Sequence, residues 1–319
     1  MVRIAIPDDH PPVMADSPAL VRLRAAEDVE VEIWSDRPED DSSLLARIEG
    51  AHTVINIRSS SRFNRHVLEN ASGLKHVAIW GTGTDNVDLD AAGRAGITVT
   101  NTPNTATEAV AEHAIALLLS LARRVPELDV RVRRGEWPLG MLRQLSGNTL
   151  GIVGTGNIGR RTAEMARGIG MRVIAWTRNP DQEWAQASGV EYVNLDTLLR
   201  ESDAVSLHLR LSGESRGLIG AEQLAQMKSR ALLVNTARGE LVDEAALADA
   251  LLSGAIGGAA LDTFQEEPLT EGSPLRGLSN AILSPHTAGT TAEALANGLE
   301  MAVDNTLGFL RGDVQHRVA

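Results

Sequence analysis

The sequence predicts an α/β protein made of two doubly wound, parallel-sheet domains. Three observations predict it. Residues 149–176 read as strand, tight glycine turn, helix and second strand, which is the context that gives a G-x-G-x-x-G spacing its meaning. Short β-branched apolar runs alternate with helical stretches through the first hundred residues, the pattern of parallel βαβ units. A fourth strand, His76–Ile79, runs almost directly into Gly81-Thr82-Gly83, a second strand that ends in a glycine turn.

Taken in order, Val2–Ile6 is the first strand and ends in the Pro- and Asp-rich loop Pro7–Pro12. Ser17–Glu27 reads as a helix and Val29–Trp34 as the second strand. A short helix, Leu44–Ile48, leads to the third strand, Thr53–Ile57, and Phe63–Asn70 is helical before the fourth. Thr98–Thr100 closes this part, and the turn-rich Asn101–Thr105 marks a boundary. Helices follow across Thr107–Arg123 and near Pro126–Gly135. In the fingerprint, Gly154 permits the sharp turn, Gly156 lets a pyrophosphate approach the backbone, and Gly159 lets the helix pack closely on its strand. The helix opening at Asn157–Ile158 offers unpaired N–H groups and a positive dipole end to a phosphate. Later strands read as Ala204–Leu207, Leu232–Asn235, Gly258–Leu261 and Ile282–Leu283, with a long helix over Thr290–Leu310. On spacing alone, a glycine turn in another doubly wound fold, such as a methyltransferase, stays open.

Bulk properties narrow the function. The net charge of −12 argues against nucleic acid or an anionic membrane as the main partner. With no cysteine, disulfides, thiolate metal sites and a cysteine nucleophile are excluded, which fits a cytoplasmic protein. The start MVRIAIPDDH carries no long apolar stretch, so no signal peptide is expected. The most apolar segment, 109–121, contains Glu112 and His113 and is too short to span a bilayer.

Three spots carry candidate chemistry, each just after a strand, where doubly wound folds place ligands. Arg238 lies in Asn235-Thr236-Ala237-Arg238-Gly239 and can grip a carboxylate through two parallel hydrogen bonds. Asp262 to Pro268 follows the strand ending at Leu261, and His286 follows Leu283-Ser284-Pro285. A histidine and a glutamate so placed are a candidate acid–base pair. No cluster has metal-ligand spacing, and no metal is expected.

The chain resembles the D-isomer-specific 2-hydroxyacid dehydrogenase family, above all its glyoxylate/hydroxypyruvate reductase and phosphoglycerate dehydrogenase branches. The likeness runs nearly end to end: GTGTDNVDLDAA at 81–92, NTP and EAVAEHAIALLL at 101–119, GIVGTGNIG at 151–159, LLVNTARGELVDEAAL at 232–247, AALDTFQEEPL at 259–269 and LSPHTAG at 283–289. The resemblance implies a Rossmann dinucleotide-binding domain at 102–288 and a discontinuous, flavodoxin-like substrate domain at 1–101 and 289–319, with a cleft between them. It implies hydride transfer between NADH or NADPH and C2 of a small 2-keto or 2-hydroxy acid such as glyoxylate or hydroxypyruvate. By the same resemblance Arg238 binds the substrate carboxylate, His286 exchanges the proton, and Glu267 orients His286, with adjacent Glu266 as the rival for that role. Cofactor contacts are expected at Thr107, Gly154, Gly156, Asn157, Ile158, Gly159, Thr177, Arg178, His208, Thr236, Asp262 and Gly289. Substrate contacts are expected at Ser59, Thr82, Gly83, Arg238 and His286. Arg123, Arg124, Arg131, Arg133 and Arg134 read as a solvated helix face or, by the resemblance, as the arm of a homodimer.

Departures from the family pattern bear on the cofactor. Where a NAD site has an acidic residue for the ribose hydroxyls, this chain has Thr177-Arg178-Asn179. An aspartate there would repel a 2′-phosphate by roughly 4 kcal/mol at an effective dielectric of 20. The balance favours NADP over NAD, although an arginine can also stack on adenine. Arg210 stands where the family usually has proline. The remaining histidines read as structural, with His113 packed in its helix. Two other readings stay open: a dinucleotide-responsive corepressor on the same fold, and a formate dehydrogenase relative, against which Glu267 counts because that relative carries glutamine.

Overall fold

The computed structural model of the chain describes residues 1–10, 12–57 and 61–319. They form two compact α/β units: Met1–Ala106 with Thr290–Ala319, and Thr107–Gly289.

The first unit holds a five-stranded sheet of β1 (Val2–Ile6), β2 (Val29–Ile33), β3 (Thr53–Ile57), β4 (His76–Trp80) and β5 (Thr98–Thr100) in the order β2-β1-β3-β4-β5. Every named pair is parallel. The inner strands β3 and β4 are buried at nearly every position because both faces are covered, whereas the edge strand β2 alternates Val and Glu. Ala5, Val54, Val77, Ile79 and Val99 face one core, while Ile4, Ile6, Ile55, Ile57 and Ala78 face the other. The second face is covered by the 20-residue helix Ala292–Arg311 through Leu299, Ala302 and Val303. A Cβ on Gly298 would lie 1.6 Å from Trp80 Nε1, so only glycine lets that helix approach β4. Buried His76 stacks on Phe309 of the same helix at 4.5 Å and shares a hydrogen bond with Thr100 Oγ1. Burial, helped by neighbouring His52, pushes its pKa down to about 3.

The second unit holds a seven-stranded parallel sheet: β6 (Thr149–Val153), β7 (Arg172–Trp176), β8 (Glu191–Tyr192), β9 (Ala204–Leu207), β10 (Leu232–Asn235), β11 (Gly258–Leu261) and β12 (Ala281–Leu283). The order is β12-β11-β10-β9-β6-β7-β8, so the winding reverses between β6 and β9. Doubly wound sheets bind ligands at the carboxyl ends of strands flanking such a reversal. Two apolar cores flank this sheet, and the helix Thr107–Arg123 packs its Ala114, Leu117, Leu118 and Leu121 into one of them.

Local chemistry sets the helix limits. Ser17 accepts from Leu20 N–H, and Pro18 fits the first turn, but the helix stops at Arg24, short of Glu27. Asn64 caps the helix Arg65–Asn70, which keeps Phe63 outside it. The first unit runs past Asn101 because the chain after β5 is tied back to the end of β4. Thr102 N–H donates to Gly81 O at 3.0 Å, Gly81 N–H to Thr102 Oγ1 at 2.8 Å, and Asn101 Nδ2 to Thr82 O at 2.9 Å. Gly289 belongs to the second unit.

Candidate active site

The glycine turn after β6 is built as tightly as its spacing suggests. Gly154 has φ 100°, and a Cβ on it would lie 2.7 Å from the carbonyl oxygen of His208. A Cβ on Gly159 would lie 2.0 Å from the carbonyl oxygen of Gly154. Around Gly156 the space is open, with nothing within 4 Å of a Cβ built there. Gly156 caps the helix Asn157–Gly168, whose first turn has no acidic residue. Asn157 and Ile158 therefore open a helix whose positive dipole end adjoins an open space, which fits a pyrophosphate.

Other expected cofactor residues stand at neighbouring strand ends. His208 follows β9, its N–H donating to Val153 O at 2.8 Å and its Nε2 lying 2.9 Å from Ser206 Oγ. Burial pushes its pKa down to about 4, so the ring is neutral at ordinary pH. Thr236 follows β10 with its hydroxyl oxygen buried and without a hydrogen-bond partner, as is that of Thr263 after β11. A dinucleotide would supply partners there. Thr107 opens its helix, half-buried. Thr177 and Arg178 follow β7. Arg178 Nη1 contacts Glu214 at 2.7 Å and Nη2 donates to Ser212 Oγ at 3.4 Å. The first carboxylate after β7 is Asp181, which caps the helix Gln182–Ser188 and pairs with Arg160 at 2.8 Å.

The candidate acid–base pair is assembled from two loops. His286 Nδ1 lies 2.7 Å from Glu267 Oε2. A carboxylate only accepts, so Nδ1 carries the hydrogen and Nε2 is the atom left for chemistry. Glu266 makes no such contact among the described hydrogen bonds. His286 has φ 51°, a left-handed backbone that a non-glycine residue adopts rarely. Its ring is 43% exposed, so a substrate can reach it. The second oxygen of Glu267 accepts from Phe264 N–H at 3.0 Å. Burial pushes the Glu267 carboxyl up, but the hydrogen bond and charge of His286, the Phe264 N–H and the Arg238 guanidinium outweigh it and hold the group below its ordinary value.

Arg238 reaches this neighbourhood because Gly239 lets two loops touch. A Cβ on Gly239 would lie 1.9 Å from the carbonyl carbon of Phe264. Asn235 Nδ2 donates to Arg238 O at 2.8 Å, and Arg238 Nη1 to Ala237 O at 2.7 Å, which orders the turn.

Asp262 is fully buried rather than presented outward. Oδ1 accepts from Ser284 Oγ at 2.7 Å and Thr287 N–H at 2.9 Å, and Oδ2 from Ala288 N–H at 2.8 Å. Burial pushes its carboxyl up, but hydrogen bonds from His113, Ser284, Thr287 and Ala288 prevail and lower it. Its grip holds Thr287 and Ala288, the two residues that follow His286. His113, expected as a packed residue, instead sits 3.1 Å from Ser284 Oγ and 3.5 Å from Asp262. Sequence reasoning missed this knot because the partner lies 171 positions away.

Of the expected substrate residues, Ser59 lies outside the described residues. Thr82 and Gly83 follow β4 in the first unit, with Thr82 O accepting from Asn101. Among the described residues no three His, Asp or Glu side chains form a metal-binding group, and no helix is long and apolar enough to cross a membrane.

A family model described as the NAD binding domain of D-isomer specific 2-hydroxyacid dehydrogenase matches residues 115–288. A glyoxylate reductase of Aeropyrum pernix is 43% identical over 295 residues, covering 89% of this chain and 88% of that one. A D-3-phosphoglycerate dehydrogenase of Methanocaldococcus jannaschii is 36% identical over all of this chain and 59% of its own. Among solved structures, a protein from Thermus thermophilus superposes with TM-score 0.88 at 38% identity over the whole of both chains. A D-lactate dehydrogenase of Aquifex aeolicus, complexed with NAD and lactic acid, has TM-score 0.86 at 27% identity, covering 98% of this chain and 96% of its own. An acyclic imino acid reductase in complex with NADPH and D-Arg has TM-score 0.89 at 26% identity over the whole of both chains.

Proposed function

The chain belongs to the D-isomer specific 2-hydroxyacid dehydrogenase family, and from that premise we propose that it reduces a small 2-keto acid, with glyoxylate and hydroxypyruvate as the leading candidates. The observation that carries the reading is the 2.7 Å contact between His286 Nδ1 and Glu267 Oε2, made where the Arg238 charge is also felt.

The roles follow from charge. Reducing a ketone places negative charge on its oxygen, and a protonated imidazole within reach neutralises it. His286 Nε2 holds that proton and delivers it to the oxygen on C2. Glu267 fixes the ring and its tautomer through the Nδ1 hydrogen bond. Arg238 holds the substrate carboxylate through paired hydrogen bonds and orients C2. Asp262 holds the loop that carries His286. When bound, the reduced nicotinamide supplies the hydride. Gly154, Gly156, Asn157, Ile158 and Gly159 would hold its pyrophosphate, with His208 and Thr236 alongside.

We assign NADPH as the preferred donor. No carboxylate after β7 is available to ribose hydroxyls, since Asp181 is committed to its helix and to Arg160. Arg178 is the receptor for a 2′-phosphate. We also assign a homodimer. Val125, Val130 and Val132 on one helix, and Trp137, Leu139 and Met141 beyond it, are exposed together. So large an exposed apolar set marks a contact surface, and a second copy of this chain is its occupant.

The test is a panel of keto acids with each cofactor, run with His286→Ala. The variant loses roughly 10²–10⁴-fold in kcat while NADPH binding, read by fluorescence titration, is kept. Undiminished turnover in that variant overturns the reading.

A further inference from the structure

Behind the loop that bears Glu267 lies a third carboxylate. Glu244 begins the helix Glu244–Leu252, which Asp243 caps. Its Oε1 accepts the backbone N–H of Gln265, two residues before Glu267. The same loop is held at Gln265 Nε2, which donates to Val242 O at 2.8 Å, and at Phe264, against which Gly239 packs. Glu244 lines an open cavity of about 440 Å³ together with Gln265, Glu266 and Leu269.

We propose that Glu244 is a positioning residue for the His286–Glu267 pair, which it serves by holding the Gln265 N–H and by adding its negative charge behind Glu267. The proposal rests on the assignment of that pair as the acid–base centre.

The arrangement is electrostatically costly, which argues for a use. Burial pushes the Glu244 carboxyl up, the Gln265 N–H opposes that, and the facing carboxylates Glu267 and Glu240 push it up further. The charged groups around it among the described residues are Glu240, whose Oε1 lies 3.8 Å from Arg216, Glu266, which lines the same cavity, and Glu267, whose own field includes Arg238 and His286. A neutral acceptor would hold the same N–H without that repulsion. What the carboxylate adds is negative potential at the loop that bears Glu267.

Two variants separate the hydrogen bond from the charge. Glu244→Ala removes both and lowers kcat about tenfold, the scale of one hydrogen bond to a charged group, while NADPH affinity stays within about twofold. In a Glu267→Gln background the same change costs little more, because Glu244 acts through Glu267. Glu244→Gln keeps the acceptor and recovers kcat at its optimum, but the alkaline limb of the reductive pH profile moves to lower pH. Glu244→Gln does not depend on how well the alanine variant folds, which a thermal melt reports. Wild-type kcat in a folded Glu244→Ala, full additivity with Glu267→Gln, or an unmoved alkaline limb in Glu244→Gln overturns the proposal. His286→Ala run in parallel separates the two levels: if it stays active, the acid–base assignment fails and this inference with it. If it is inactive while Glu244→Ala is unaffected, this inference alone fails.

Discussion

A guanidinium that already holds a carboxylate receives a phosphate less readily than one that does not. Arg178 is 42% exposed and meets Glu214 at 2.7 Å, so a 2′-phosphate must displace or share that partner. Exposed ion pairs are weak, on the order of 0–1 kcal/mol, so the exchange is feasible. Arg178→Ala should raise the KM for NADPH more than that for NADH, and Glu214→Gln should lower the KM for NADPH alone, by up to about fivefold for ~1 kcal/mol. Steady-state kinetics with both cofactors checks it, and equal effects on the two would remove Arg178 from discrimination. Arg178 itself was visible in the sequence, because the position after the second strand of a dinucleotide unit is defined by the glycine fingerprint. Glu214 was not, since it lies on the loop after β9, and only the sheet order puts that loop within reach of β7. The same holds for His113, whose apolar helix suggested packing while its partners come from the β11 and β12 ends. Glu267 was legible over Glu266 by its place before Pro268, and its carboxylate is the one that meets His286.

At the scale of elements, the site depends on how closely the loop after β10 can press on the loop after β11. Gly239 sets that distance: any side chain there drives its Cβ into the carbonyl of Phe264, and both sides of the contact are backbone. Gly239→Ala should therefore shift the Phe264–Glu267 loop. Overpacking of this kind costs about 1–3 kcal/mol, read as a lower melting temperature. It should also reduce kcat more than it weakens NADPH binding, since the glycine turn after β6 is untouched. Unchanged kcat would show the loop can yield without moving Glu267. Strand positions were readable because parallel strands buried on both faces are short apolar runs. The two-residue β8 was not, since Glu191–Tyr192 carries no such run and exists only as an edge pairing to β7.

At the scale of the molecule, the exposed apolar arm predicts assembly. Trp137, Leu139 and Met141 are 80%, 88% and 98% exposed, far beyond the scattered apolar residues of an ordinary surface. Sedimentation should show a dimer, and the double change Trp137→Asp, Met141→Asp should give monomers or a markedly weaker dimer. A wild-type monomer at micromolar concentration would refute the assignment. Nothing in the hydrophobic periodicity announced this surface: the helix Val125–Arg133 has no buried residue, so its valines follow no core-facing stripe.

The first unit is written in two pieces, with the second unit between them. During synthesis the strands β1 to β5 emerge before residues 290–319, yet Ile4, Ile6, Ile55 and Ile57 gain Leu299, Ala302 and Val303 only when that later stretch is made. The uninterrupted stretch 107–289 contains its whole sheet and both its cores. One oily sheet face, with only Met14 and the short helix of Ala19, Leu20 and Leu23 on it, thus stays half-covered on the ribosome until the whole 107–289 stretch has been translated, which makes the helix Ala292–Arg311 the closing piece of the first unit.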